Sequence, residues 1–341
     1  MCGIAGLIST QKTIEHKEKI APLMINTLKR RGPDEGGVYM DENALLLHRR
    51  LAVVDIENGR QPMEFKTKDE HYILVYNGEL YNTDEVKKEL IAKGYSFAGH
   101  SDTEVVLKAY AEFGEKCAEK FNGIFAFAIF ECLRKRLFLC RDRIGVKPLF
   151  YALKDHELIF GSEIKTILKS GLIKPEINKE GLFELFFLGP ARSQGVGVFK
   201  GISELKPGEY AYFENGNLIK KKYFEITAKP HTESEAQTLE HTKWLIEDAI
   251  KRQLVSDVPL WTFLSGGLDS SIITNCASKN AKAKNRQICS YSVEYRDNDK
   301  YFEKTLFQPN RDADFIDLMV RHADTKHFEV IIENEVLAEY L

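Results

Sequence analysis

The stretch that decides the fold is Cys2-Gly3-Ile4-Ala5-Gly6-Leu7-Ile8, which follows Met1 at the start of the chain. It is apolar, too short for a secretory signal and not preceded by a cationic segment, so it predicts a buried β-strand. Because a small residue follows Met1, removal of that methionine would leave Cys2 with a free α-amine. An α-amine, with a pKa of about 7.7–8.0, can accept the proton of a thiol whose pKa is about 8.5. By itself a cysteine at position two is weak support for catalysis, since most such residues are inert.

The bulk composition is that of an ordinary globular protein and favours two domains. The chain has 341 residues, 43% hydrophobic and 29% charged, and single cores rarely grow past about 250–300 residues. The net charge of −3 gives no sign of nucleic-acid binding, and no apolar run approaches the ~18 residues of a membrane helix. The six cysteines contain no C-x-x-C pair and the nine histidines no H-x-H or H-x-x-x-H pair. We therefore expect a reduced, cytoplasmic protein without a structural metal site.

Short strand patterns alternate with amphipathic helices over the first two hundred residues. Residues 125–130 are apolar at every position, so both faces of that strand should be covered. The pattern predicts an α+β domain with helices packed on stacked antiparallel sheets. Strands are predicted at 45–47, 51–54, 72–76, 124–130, 136–140 and 158–160, and helices at 20–28, 83–93, 103–113 and 164–169.

A change of pattern marks a second domain. We predict a first domain over residues 2–210, a linker over 211–237 and a second domain over 238–341. In the second domain a helix at 238–254 precedes a strand at 259–264, a glycine turn, a helix at 270–279 and a strand at 288–293. Strand, helix and strand at this spacing predict a βαβ unit, and hence an α/β domain with a parallel sheet.

Several segments downstream of Cys2 strengthen the case for catalysis. Taken singly, each has an ordinary explanation: Asn-Gly is most often a hairpin turn, an Arg pair can lie on the surface, and Ser-Asp can simply cap a helix. Their joint occurrence, in this order and spacing, resembles the class II glutamine amidotransferases over about residues 2–208. The matching segments are Cys2-Gly3-Ile4, Arg31-Gly32-Pro33-Asp34, His48-Arg49-Arg50-Leu51, Tyr76-Asn77-Gly78-Glu79-Leu80-Tyr81-Asn82, Gly99-His100-Ser101-Asp102-Thr103-Glu104, Arg141-Asp142-Arg143-Ile144-Gly145-Val146-Lys147-Pro148-Leu149-Phe150 and Ser162-Glu163.

This resemblance implies an N-terminal-nucleophile fold that hydrolyses glutamine, with Cys2 as nucleophile. Glutamine carries an α-carboxylate, which suits a guanidinium fork, and the residue that matches is Arg50. Its α-ammonium suits a carboxylate, and the match is Asp102, with Glu79 and the Asn77-Gly78 backbone nearby. Attack on the side-chain amide produces an oxyanion, which needs donors aimed at the developing charge. The Asn77 side chain and the Gly78 N–H resemble that oxyanion hole.

A second motif, Phe263-Leu264-Ser265-Gly266-Gly267-Leu268-Asp269-Ser270-Ser271, lies between a predicted strand and a predicted helix. Its glycines allow close backbone approach, and hydroxyls and N–H groups at a helix start favour an anion. A capped helix start is the plainer explanation, and the Walker A spacing with its Lys is absent. The string nevertheless resembles the pyrophosphate loop of the ATP-pyrophosphatase ligases. That resemblance implies ATP binding over residues 264–271, Mg²⁺ held by Asp269 through pyrophosphate, and an adenine contact at Val293.

The two motifs together resemble the glutamine-dependent asparagine synthetases. The resemblance implies ATP-dependent amidation of aspartate through a β-aspartyl-AMP, with ammonia carried internally. Two alternatives stay open: amidation of another carboxylate, such as a cell-wall or natural-product precursor, and a non-catalytic binding fragment. Family motifs expected beyond Leu341 are not in the sequence, so we expect a partial second domain and glutamine hydrolysis without asparagine formation. A homodimer is left open.

Overall fold

The computed structural model describes residues 1–189, 191–306, 310–333 and 335–336. The chain divides into two compact units, Met1–Lys229 and Pro230–Leu341. The end of the predicted second domain, residues 337–341, lies outside the described residues. Of the helices that the structure describes, none combines the length and apolarity needed to cross a bilayer.

Over its described residues the first unit contains two six-stranded antiparallel sheets. In chain order the strands are β1 (Gly3–Ser9), β2 (Glu35–Met40), β3 (Ala44–Arg50), β4 (Met63–Lys66), β5 (His71–Leu80), β6 (Gly123–Glu131), β7 (Arg136–Arg141), β8 (Phe150–Lys154), β9 (Glu157–Gly161), β10 (Ile202–Glu204), β11 (Glu209–Glu214) and β12 (Asn217–Lys222). One sheet has the order β10-β8-β9-β1-β3-β2, and the other has the order β12-β11-β7-β6-β5-β4.

Helices cover the outer face of each sheet, which confirms the predicted layers. They are α1 (Lys17–Thr27), α2 (Thr83–Ala92), α3 (Asp102–Phe113), α4 (Cys117–Lys120) and α5 (Ile164–Leu168), with a 3₁₀ turn at Gly114–Lys116. A further helix, α6 (Lys179–Phe187), is largely exposed. Met24 of α1 packs in one outer cluster with Leu45 of β3, and Val105 of α3 packs in another with Phe127 of β6. A third apolar cluster, which includes Ile4 of β1, fills the space between the sheets.

The structure of strand β6 explains the unbroken apolar run at residues 125–130. Successive side chains of a strand point to opposite faces. The odd-numbered residues from Phe125 to Ile129 face the helical layer, and the even-numbered residues from Ala126 to Phe130 face the other sheet. All six side chains are buried, and burying a phenylalanine contributes about 1.5–3 kcal/mol. The prediction that both faces of this strand are covered is confirmed.

The strand predicted at 51–54 and the linker predicted at 211–237 differ from the structure. The predicted strand at 51–54 is irregular in the structure, because β3 ends at Arg50 and the guanidinium of Arg50 binds the main-chain oxygens of the residues that follow. The residues assigned to a linker from position 211 instead form most of β11 and all of β12, which extend the second sheet beside β7. The first unit therefore continues to Lys229.

The second unit is an α/β layer. Its elements are α7 (Glu235–Arg252), β13 (Trp261–Phe263), α8 (Leu268–Ala283), β14 (Cys289–Tyr295), α9 (Asn298–Tyr301), α10 (Asp312–Ala323) and β15 (Lys326–Ile332). The described strands are parallel in the order β13-β14-β15. Ser234 starts α7 with a capping box to Gln237. The predicted βαβ unit is thus formed by β13, α8 and β14.

Candidate active site

Cys2 lies at the entrance of β1, beside the end of β3. Antiparallel pairing sets Gly3 opposite Arg49, so the nucleophile candidate lies next to the chain that leaves β3. The Leu51 N–H donates to the Cys2 Sγ at 3.4 Å. Burial raises the pKa of the Cys2 thiol, the Leu51 N–H, the chain terminus and Arg50 lower it, and the Asp102 charge raises it. The net shift is upward, so the thiol is protonated at neutral pH and needs a base before it can attack.

A single histidine joins the two sheets next to this cysteine. His48 of β3 is buried, and its Nε2 lies 3.1 Å from the Tyr76 carbonyl oxygen of β5. Burial lowers the pKa of His48 to about 3, so the ring is neutral and Nε2–H can donate to that carbonyl. The contact brings the segment after Tyr76, which carries the predicted oxyanion hole, towards the strand end where Cys2 lies.

Asn77 carries a donor that protein atoms do not use. Its Nδ2 is buried and has no hydrogen-bond partner among the described residues, and only 1% of the residue is exposed. Leaving a buried donor unpaired costs about 1–3 kcal/mol, so such a group is expected where a ligand atom supplies the acceptor. Asn77 and Gly78 lie inside β5, opposite Ala126 and Phe125, and do not form a hairpin turn.

Asp102 occupies the first turn of α3, but it does not cap that helix. The cap is Ser101, whose Oγ accepts from the Thr103 N–H. The Asp102 carboxylate instead accepts from the Tyr76 hydroxyl at 2.9 Å and the Leu80 N–H at 3.0 Å. Burial raises the pKa of Asp102 to about 6, a shift that the Leu80 and Tyr76 hydrogen bonds oppose.

Tyr76 directly precedes Asn77 in one of the matching segments, but no role was predicted for it. Burial raises the pKa of its phenol well above the ordinary value, and the charges of Asp102, Glu79 and Cys2 raise it further. Three predicted site residues, Cys2, Glu79 and Asp102, therefore influence this one side chain. The signal in the sequence was the alternation of β5, which points Tyr76 and Asn77 to opposite faces.

Arg50 is buried, and its guanidinium fork is engaged by the protein. Its two terminal nitrogens donate to the carbonyl oxygens of Ile56 at 2.8 Å, Val54 at 3.1 Å and Asp55 at 2.7 Å, and to Glu35 at 3.2 Å. The sequence predicted a bidentate grip on a substrate carboxylate. That grip would require Arg50 to break some of these four hydrogen bonds, and the bonds themselves explain why the loop after β3 is folded back on the strand.

The predicted pyrophosphate loop lies at the carboxyl end of β13, in the second unit. Gly266 has a left-handed φ of 77°, and Gly267 begins α8 without a side chain that could cap its N–H groups. The Ser265 and Ser270 hydroxyls lie 3.1 Å apart, and the Ser270 Oγ also accepts from the Ser265 N–H. Uncapped N–H groups at the start of a long helix suit a phosphate.

The remaining predicted nucleotide residues surround the same strand end. Leu264 is buried and its N–H donates to the Tyr291 carbonyl, whereas Leu268 is exposed. Asp269 lies in the first turn of α8, and Ser271 follows it by two residues on the same helix. Val293 lies two residues beyond Tyr291 on β14, at the same carboxyl edge of the sheet.

Comparison with known proteins identifies the first unit. A sequence model of the glutamine amidotransferase domain matches residues 1–224. The chain belongs to the glutamine amidotransferase family. A second model, asparagine synthase, matches residues 241–341. The two matches confirm the resemblance predicted from the sequence.

Relatives of this glutamine amidotransferase include "asparagine synthetase [glutamine-hydrolyzing] 3" of Bacillus subtilis, which is 44% identical over 342 residues. The alignment covers 100% of this chain and 56% of that protein, and the chain spans about half the length of the curated relatives it matches.

Solved structures with the same fold include the allosteric regulatory enzyme of purine biosynthesis, with a TM-score of 0.51 at 14% identity over 97% of this chain and 80% of that one. A second is the glutamine phosphoribosylpyrophosphate amidotransferase of B. subtilis, with a TM-score of 0.50 at 13% identity over 97% and 81% of the two chains. At such identities the likeness concerns the fold, and it confirms the predicted fold class.

Proposed function

We propose that the first unit hydrolyses glutamine to glutamate and ammonia, with Cys2 as nucleophile. The observation that carries this proposal is the buried, unpaired Nδ2 of Asn77, on a strand joined through His48 to the strand beside Cys2. A purely structural asparagine would have its donor satisfied by the protein. The basic test is a glutamate-release assay on a chain whose loss of Met1 has been verified by mass.

The reaction follows from the groups present. The α-amine of Cys2 takes the thiol proton, and the thiolate attacks the side-chain carbonyl carbon of glutamine. The resulting oxyanion is stabilised by Asn77 Nδ2–H and the Gly78 N–H. Collapse breaks the C–N bond as the ammonium form of the amine returns its proton to the leaving nitrogen, which releases ammonia and leaves a γ-glutamyl thioester. Water, deprotonated by the same amine, then hydrolyses the thioester to glutamate.

The other end of glutamine is held by charge. The Asp102 carboxylate accepts hydrogen bonds from the α-ammonium group, with Glu79 nearby, and Arg50 supplies the positive charge for the α-carboxylate. The Arg50 guanidinium already donates to carbonyl oxygens of the following loop. It therefore attracts the substrate carboxylate through its charge as well as through any N–H group that is released to bind it. Loss of Glu35 as a partner would free one N–H for the substrate.

Glutamine binding should weaken in acid because Asp102 must be ionised to hold an ammonium. Its folded pKa is about 6, above the ordinary value of about 3.9. The charged fraction therefore falls as pH drops through about 6, and below it we expect the glutamine KM to rise about tenfold for each pH unit. Asp102→Asn should give a high KM that no longer changes in this window, whereas the exposed Asp84→Asn should behave like the native chain. A native KM that is flat from pH 7 to 5 would contradict this role.

For the second unit we propose ATP-dependent activation of a carboxylate, with aspartate as the acceptor. The asparagine synthase match and the names of the relatives support it. ATP would adenylate the aspartate side chain and release pyrophosphate, and ammonia would displace AMP to give asparagine. Leu268, Asp269 and Ser270 present N–H groups of the first turn of α8 to the phosphates, and Asp269 suits Mg²⁺ bound to pyrophosphate because Mg²⁺ prefers oxygen ligands.

The nucleotide proposal predicts that Gly266→Ala abolishes ATP binding. Gly266 has φ 77°, and an added Cβ would lie 2.7 Å from the Asp312 carbonyl oxygen, so the loop must move. Gly171→Ala is the matched control, because Gly171 has φ 76° with open space around the added Cβ. We expect Mg²⁺–ATP to raise the melting temperature of the native chain and the control but not of Gly266→Ala. Equal stabilisation of all three by ATP would contradict the assignment of this loop.

A further inference from the structure

Asp55 is a buried carboxylate in the loop that follows β3. Only 3% of the residue is exposed, and its backbone is left-handed, with φ 48°. One carboxylate oxygen accepts from the His100 N–H at 2.7 Å and the Ser101 N–H at 3.0 Å. The other accepts from the N–H of Asn58 at 3.1 Å and from its side-chain amide at 2.9 Å. One side chain therefore binds two separate loops.

The two loops carry opposite ends of the glutamine pocket proposed above. On one side, the Asp55 carbonyl oxygen accepts from the Arg50 guanidinium at 2.7 Å, so Asp55 lies directly against the carboxylate-binding charge. On the other side, Ser101 caps α3 and is followed at once by Asp102, the ammonium-binding group. Asp55 itself takes no part in the proposed chemical step. Asp55 instead connects the two segments that carry these charges.

Glycines on both sides permit this close approach. A Cβ at Gly99 would lie 2.0 Å from the Asp55 carboxylate, and a Cβ at Gly59 would lie 2.3 Å from an Arg50 terminal nitrogen. Burial alone would raise the pKa of Asp55, but hydrogen bonds from Asn58 and His100 outweigh it and lower the net pKa. The carboxylate is therefore ionised at neutral pH, where hydrogen bonds from N–H groups to a charged acceptor are at their strongest.

We propose that Asp55 is a positioning residue that holds the Arg50 and Asp102 loops at the spacing required by the amino-acid end of the substrate. The inference rests on the proposed glutaminase function and adds a specificity role for a residue that touches neither the substrate nor the reacting atoms. It predicts that loss of the Asp55 carboxylate impairs recognition of the α-amino-acid group while the reactivity of Cys2 is preserved.

The test is Asp55→Asn in the full chain, with Met1 removed. Asparagine tolerates the left-handed backbone, but it has one accepting oxygen, so one of the two loops must face an N–H₂ group and lose its acceptor. We expect the glutamine KM to rise at least about tenfold, with kcat within about threefold of native. Alkylation of Cys2 by iodoacetamide, which lacks an amino-acid group, should proceed at the native rate.

The matched control is Asp155→Asn, since Asp155 has the same φ of 48° but is exposed in the turn between β8 and β9. It should leave KM unchanged. If Asp55→Asn does not fold, Gly99→Ala carries the test: it keeps the carboxylate but displaces it, and should also raise KM. A native KM in folded Asp55→Asn or Gly99→Ala, or equal losses of kcat and of alkylation rate, overturns the inference alone. A native chain without glutaminase activity overturns it together with the proposed function.

Discussion

Replacing Cys2 with alanine should abolish glutamate release, to less than about one part in 10³ of the native rate. The reason is chemical: without the thiolate no thioester forms, and water at neutral pH cannot attack an unactivated amide at a useful rate. The strand should fold normally, because Cys2 precedes the buried run of β1. Glutamate released per unit time, with Met1 removal verified by mass for both chains, is the measurement.

Two further cysteines provide matched controls for that result. Cys132 and Cys289 are also only partly buried, and Cys132→Ala and Cys289→Ala should each retain native glutaminase activity. Burial raises the pKa of Cys132 to about 11, so it is a poor nucleophile at neutral pH. Activity that survives in Cys2→Ala and disappears in either control would place the nucleophile elsewhere.

Asn77→Ala should lower kcat by about 10²–10³-fold, which corresponds to about 2.7–4 kcal/mol of transition-state stabilisation. The substitution removes a donor that makes no bond in the free protein, so the free energy of unfolding should change little or even rise. The glutamine KM should change less than kcat, since the ground-state carbonyl gains less from the donor than the oxyanion does. The combined signature is a slower enzyme that is as stable as the native one.

A different asparagine controls for loss of the amide itself. Asn217 is exposed at the start of β12, and its side-chain amide donates only to a neighbouring carbonyl of the same turn. Asn217→Ala should leave kcat and KM at native values. A native kcat in folded Asn77→Ala would show that the oxyanion assignment is wrong.

Elements with a strong pattern were predicted well from the sequence. The apolar run of β6 and the amphipathic periods of α2 and α3 leave little choice of structure, because each buries a defined face. The strand predicted at 51–54 was wrong for a physical reason. Its apolar residues follow a buried arginine, and the Arg50 guanidinium binds the main-chain oxygens of Val54, Asp55 and Ile56, which folds the segment back on β3. A local apolar pattern does not reveal that the preceding arginine side chain will hydrogen-bond to these oxygens.

The candidate site likewise contains residues that could be predicted from the sequence and contacts that could not. Cys2, Asn77 and Asp102 could be singled out from motif order, whereas the contacts of their neighbours could not be predicted. His48 contacts the Tyr76 carbonyl oxygen of the other sheet, Tyr76 donates to Asp102 of α3, and Asp55 accepts from His100, 45 residues away along the chain. Residues 211–222 were assigned to a linker, although they form most of β11 and all of β12. Strand β12 ends in three consecutive lysines and lies at the sheet edge, so it lacks the apolar alternation that predicts a strand.

The measurement that tests the central claim most directly is labelling with a glutamine-analogue electrophile, followed by peptide mapping by mass spectrometry. The account predicts one adduct per chain, on the peptide that begins at Cys2 after Met1 removal, with loss of glutaminase activity in proportion to labelling and protection by glutamine. Labelling at Cys117, Cys132, Cys140, Cys276 or Cys289 that tracks the loss of activity, with Cys2 unmodified, would contradict it.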